Sequence, residues 1–158
     1  MSAIWAKTDD VEERLPTTTS ARSFTADDIQ TRLQRAQDEV RVKLQAAISA
    51  SILNSWTVDT VPKMVKNWVS DLAGAFIFSD YYGESLLDKT SHAGALYGKV
   101  QNDLTDVQNG ILQVVDPSGD SVSPAADLIK SDKEGKTPFY TMNNPADSTF
   151  GDGSLDEW

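Results

Sequence analysis

Apolar residues step along the chain by threes and fours in three separate stretches, and each stretch predicts a helix. In FTADDIQTRLQRAQDEVRVKLQAAISASIL, Ile29, Leu33, Ala36, Val40, Leu44, Ala47 and Ile48 share one helical face. Arg32, Arg35, Asp38, Glu39, Arg41 and Lys43 take the other face. Thr25 followed three residues later by Asp28 forms a variant of the capping box, and Phe24 is placed to staple onto Ile29. The pattern predicts one long amphipathic helix that runs on toward Leu53.

The second stretch follows a break at NSWTVDTVP. Pro62 suits the first turn of a helix, with Thr60 or Asp59 as its cap. Met64, Val65, Trp68, Val69, Leu72, Ala73, Phe76 and Ile77 then keep the helical spacing. Within AGAFIFSDYYG, the run Ala73-Gly74-Ala75 predicts close approach of a neighbouring helix, and the bulky residues beyond it fill the widened end of the core. Phe78 and Tyr81 fall off the main stripe. They are expected to cover a second surface, such as a subunit contact; the alternative is that they complete the core. The third stretch, SHAGALYGKVQNDLTDVQNGIL, aligns Leu96, Val100, Leu104, Val107 and Ile111, with Lys99, Asp103 and Asp106 outward. Asn109-Gly110 is its stop, since both residues tolerate a left-handed conformation. ILQVV and DPSGDSV then predict a short β-hairpin.

The ends lack this periodicity. The expected organisation is an N-terminal arm (1–23), a helical core (24–115) and an acidic, extended C-terminal arm (116–158). The fold class is mainly α: a small three-helix bundle with a short β-hairpin and extended arms. The C-terminal arm is rich in Asp, Ser, Gly, Pro and Asn, yet it holds Phe139, Tyr140, Phe150 and Trp158. A purely solvating tail seldom needs aromatic residues, so these four are expected to anchor it on another surface.

Charge and chemistry narrow the picture. The formal net charge is −10, and residues 116–158 carry three basic and nine acidic groups. That balance opposes ordinary attraction to nucleic-acid phosphates. With no cysteine and one histidine, His92, neither a disulfide framework nor a thiolate or multi-histidine metal site is available. No run is long enough to span a membrane, and the N-terminus lacks the apolar core of a signal peptide, so the chain is expected in the cytoplasm when made. GDGSLDEW and DPSGD lack the Lys-Ser/Thr of a nucleotide loop. Asp116, Ser118 and Asp120 alternate like calcium-loop ligands, but the glycine and terminal glutamate of such a loop are not in place. Ser91-His92 are adjacent and point in different directions on a helix. Asp80, Glu84 and Asp88 could share a helical face and hold a cation, although a solvated face is the commoner outcome. No catalytic set and no cofactor are expected.

The order of elements resembles the head–tail connector (head-completion adaptor) proteins of tailed bacteriophages, in particular the Mu-like adaptor family. The resemblance covers roughly residues 25–115. It rests on a capped amphipathic helix, a second helix carrying Pro62, Val65, Val69, Asp71, Leu72 and Ala73, an aromatic exit from Phe76 to Tyr82, and a third helix running to a glycine followed by Ile111 and Leu112. The resemblance implies a homo-oligomeric ring, commonly of twelve copies, in the neck of the virion. Such a ring extends the DNA channel between the portal protein and the tail or tail-stopper protein. Packaged DNA would pass without specific binding, and an acidic lumen would keep it from adhering. The implied partner-binding residues are Phe78, Tyr81, Phe139, Tyr140, Phe150 and Trp158. Both arms are longer than the compact family core requires. The competing reading is an acidic DNA mimic that inhibits a nucleic-acid-binding enzyme. It explains the charge but not the apolar surplus of the second helix.

Overall fold

The computed structural model describes residues 4–15 and 25–122. The chain is mainly α, as its periodicity predicts, with five helices among the described residues. They are α1 (Thr8–Glu12), α2 (Ala26–Leu44), α3 (Ala50–Ser55), α4 (Lys63–Tyr82) and α5 (His92–Gln108). The three long helices are the predicted bundle, and the two short ones are additions the pattern did not announce.

Helix α2 begins as expected. The Thr25 hydroxyl accepts from the Asp28 amide at 3.2 Å, and the Asp28 carboxylate accepts from the Thr25 amide, also at 3.2 Å. These two bonds satisfy two amides that the helix cannot pair internally. Ile29, Leu33, Ala36, Val40 and Leu44 are all buried. The helix stops at Leu44 and does not continue through Ile48. Residues 45–48 form a tighter turn, with the Ala47 and Ile48 amides both donating to the Leu44 carbonyl. Ser49, in an extended conformation, then redirects the chain into α3. Ala47 and Ile48 stay in the core because the turn preserves their direction although the helix has ended.

Helix α4 is the centre of the bundle. Every residue from Ser70 to Phe78 is buried, as expected of a helix covered on several sides. It packs against α2, α5 and α1. Its direction opposes that of α2 and α5. Arg32 at the start of α2 pairs with Asp80 at the end of α4 (3.1 Å), and the Trp68 indole near the start of α4 donates to Asp103 late in α5 (2.9 Å). The expected cap is corrected: the Thr60 hydroxyl accepts from the Thr57 amide and closes the preceding turn, while Pro62 itself occupies the cap position. Gly83, at φ +69°, ends the helix in the left-handed conformation that glycine adopts without steric cost.

Ser91 caps α5 by accepting from the Gly94 amide, and Gly110 (φ +71°) follows its end. Val100, Leu104 and Val107 are buried, whereas Ile111, assigned to the same stripe, is 74% exposed because the helix has already ended. The predicted hairpin shrinks to a single antiparallel bridge between Val115 and Ser121. Asp116 explains this: its carboxylate accepts from the Ser118 and Asp120 amides and closes a local turn in place of a longer ladder. The same bonds occupy the acid that the alternating Asp116-Ser118-Asp120 pattern offered to a cation. The division drawn between 115 and 116 falls inside this bridge.

Residues 4–15 are the largest departure from expectation. Assigned to an arm, they belong to the core: Trp5, Ala6 and Val11 are buried in the same cluster as the long helices. The Trp5 amide donates to Gln37 at 2.9 Å, and its ring meets Trp56 edge-on at 5.4 Å. The rest of the expected N-terminal arm, and the C-terminal arm from residue 123 onward, lie outside the described residues.

Candidate interaction surfaces at the two ends of the bundle

The aromatic exit of α4 is used largely within the chain. Phe78 is only 6% exposed; its ring meets His92 edge-on at 4.6 Å and Tyr82 at 5.7 Å. It therefore seals the junction between α4 and α5 instead of lying open to a partner. Tyr81 is half-buried, with the Arg32 guanidinium 5.3 Å from the centre of its ring. Its hydroxyl bonds the Asp28 carboxylate, which raises the tyrosine pKa above its usual value. Bonds from Thr25 and Tyr81 hold Asp28 below the usual carboxylate value. The exposed aromatic residue of the stretch is Tyr82. Phe139, Tyr140, Phe150 and Trp158 lie outside the described residues.

Asp71, part of the spacing that carries the family resemblance, has a structural task. It is 8% exposed, accepts from Arg14 Nε at 2.6 Å and lies 3.9 Å from Lys99 Nζ. Arg14 also donates to Asn67 at 3.1 Å, and Lys66 pairs with Asp10 at 3.0 Å. These bonds fasten residues 4–15 onto α4.

The candidate chemical groups do not converge. Ser91 Oγ accepts from the Gly94 amide and lies 2.8 Å from the carbonyl oxygens of Ser85 and Asp88, so its bonds go to the loop. Asp80 pairs with Arg32, Glu84 accepts from the Ala93 amide at 2.7 Å, and Asp88 accepts from Thr90. Among the described residues, no group of three His, Cys, Asp or Glu is placed to hold a metal ion, and no helix is long and apolar enough to cross a membrane.

Apart from Ile4, the large exposed apolar side chains among the described residues lie near or beyond the ends of the long helices. Tyr82 is the last residue of α4, and Leu87 lies beyond its end. At the opposite end, where the Lys43 carbonyl accepts from Gln108, are Val42 (67% exposed), Ile111 and Val115. Leu87 stands out at 86% exposure in a braced loop. Its neighbour Leu86 packs on the core, Asp88 accepts from both the amide and the hydroxyl of Thr90, and Glu84 and Ser91 bond the start of α5. Gly94 permits this arrangement: a Cβ there would lie 2.0 Å from the Asp88 carbonyl oxygen. Nothing in the sequence marks Leu87, because a lone apolar residue between turn residues has no periodicity. Comparison of the chain with protein-family models, with curated proteins and with solved structures returned no match to any of them.

Proposed function

We propose that the protein is a non-catalytic structural component of a tailed-phage neck, assembling as a ring between the portal and the tail. In this reading the ring extends the DNA channel and completes the head. The observation that carries it is the placement of exposed apolar side chains. The long helices cover one another through α4, and Leu87, Tyr82, Val42 and Ile111 remain solvated at the two ends of the bundle. Large apolar side chains held outward by ordered structure suit surfaces that become buried on association. The family resemblance over residues 25–115 supplies the kind of assembly. The net charge of −10 on each copy suits a wall along which DNA must slide without adhering.

The test is the size and shape of the full-length protein, alone and mixed with a portal protein, by mass photometry and negative-stain electron microscopy. A closed ring with an axial opening, alone or seated on the portal, is the expected result. A particle that stays monomeric in both samples overturns the reading. A monomer that instead binds a basic, DNA-binding enzyme in a salt-sensitive manner identifies the acidic-mimic alternative.

A further inference from the structure

We infer that copies of this chain join head to tail, with Leu87 of one copy seated in a groove at the opposite end of the next. The groove, of about 440 Å³, lies between the α3–α4 connection and the turn after α5. Ile52, Trp56, Pro117 and Val122 give it apolar lining, and Asp59 stands at its edge. Leu87 follows the end of α4 and precedes α5, whereas the groove precedes α4 and follows α5. The two features are thus separated by the length of α4, whose 20 residues span about 30 Å. A copy cannot fill its own groove with its own Leu87 across that distance.

One charged pair favours the contact. Lys89, two residues from Leu87, is exposed and makes no ion pair among the described residues. Asp59 is likewise exposed and unpaired among them. Asp88, Glu84 and Asp116 keep their negative charge but are tied by hydrogen bonds within their own loops, to Thr90, to the Ala93 amide and to the Ser118 and Asp120 amides. An unpaired cation therefore accompanies the apolar plug, and an unpaired anion the apolar groove. The loop is braced before contact, so little conformational entropy is lost when Leu87 is buried. Two different surfaces in contact make a heterologous interface, which closes into a ring when the rotation between copies permits. The inference rests on the ring reading only for that closure; the contact itself follows from the two ends.

The experiment uses full-length protein and reads assembly size against concentration. Leu87→Asp and Asp59→Lys should each raise the concentration needed for association by about tenfold or more, as loss of a central contact does. Helical circular dichroism, and melting at a concentration where the parent is also unassociated, should stay unchanged, since both side chains are exposed. Lys89→Glu should weaken association, and combining it with Asp59→Lys should restore it. Leu87→Asp protein mixed with a groove-blocked Ser118→Trp variant should give pairs and nothing larger, because each retains one working surface. Association that is indifferent to Leu87→Asp, or a charge swap without recovery, overturns the contact. If deletion of 123–158 alters association while Leu87→Asp does not, the groove belongs to the chain's own tail and the contact is overturned. A closed ring that survives Leu87→Asp sinks this contact but leaves the proposed function standing. A pair that depends on Leu87 keeps the contact and sinks the ring. A protein that is monomeric at every soluble concentration overturns both.

Discussion

Gly74 and Gly94 make opposite demands on a methyl group. A Cβ at Gly74 would lie 3.9 Å from Arg14 Cβ and from Leu96 Cδ1, which is ordinary van der Waals contact. The Ala73-Gly74-Ala75 run therefore does not mark a helix approach that only glycine allows. Gly74→Ala should stabilise the protein by about 0.5–1 kcal/mol, because glycine inside a helix carries extra chain entropy. At Gly94 the added Cβ would sit 2.0 Å from the Asp88 carbonyl oxygen and 3.0 Å from that of Ser85, both fixed backbone atoms. Gly94→Ala should destabilise by about 1–3 kcal/mol as the loop is forced off α5. Urea unfolding of the two variants beside the parent checks both signs. Equal effects would mean that the loop from Ser85 to Ser91 yields freely.

Among the elements, residues 4–15 are the ones whose attachment can be tested most directly. The chain has no cysteine, so an introduced pair reports without interference. Arg14 Cβ and the Cβ position of residue 74 are 3.9 Å apart, inside the range a disulfide requires. Oxidised Arg14→Cys/Gly74→Cys protein should form an intramolecular bridge and exceed its own reduced form in stability by about 3–4 kcal/mol. Comparison with the reduced form removes the effect of losing the Arg14–Asp71 pair. Failure to form the bridge would place this segment elsewhere. An intermolecular bridge would show instead that it docks on a neighbouring copy.

At the scale of the whole molecule, the shifted acids set the pH range of stability. Bonds from Thr25 and Tyr81 lower Asp28, and bonds from Thr90 lower Asp88. Burial opposes ionisation of Asp10, but the Lys7 amide and Lys66 outweigh it and lower its pKa as well. Because these folded-state values lie below those of the unfolded chain, their contribution is complete above about pH 4 and fades as pH falls through the folded values. Tyr81 is raised by its bond to Asp28, and Tyr97 by burial and then by Glu39. Their contribution is complete below about pH 10 and fades as pH rises through the raised values. Unfolding free energy measured against pH should thus show a plateau with losses on both sides, and Tyr81→Phe should soften the alkaline loss. An alkaline limb that Tyr81→Phe leaves untouched would remove this tyrosine from the account.

The sequence by itself determined the three long helices, because burying one face of a helix writes a local period of three to four residues into the chain. It also determined the Thr25 cap and the stop at Asn109-Gly110, where the residues act on backbone a few positions away. Tertiary structure decided what depends on partners distant in the chain. Trp5 and Val11 enter the core without any surrounding period, because a short segment is held by what it meets: Gln37, Trp56 and, through Arg14, Asp71. The end of α2 at Leu44 is marked by neither glycine nor proline; the chain turns there and still keeps Ala47 and Ile48 buried. Phe78 shows the same limit, since its place off the main stripe left both an inner and an outer surface open. The position of His92 at the start of α5 closed that choice in favour of the interior. Leu87 lay beyond sequence reading for the complementary reason. A side chain's exposure is set by what fails to cover it, and periodicity records only what is covered.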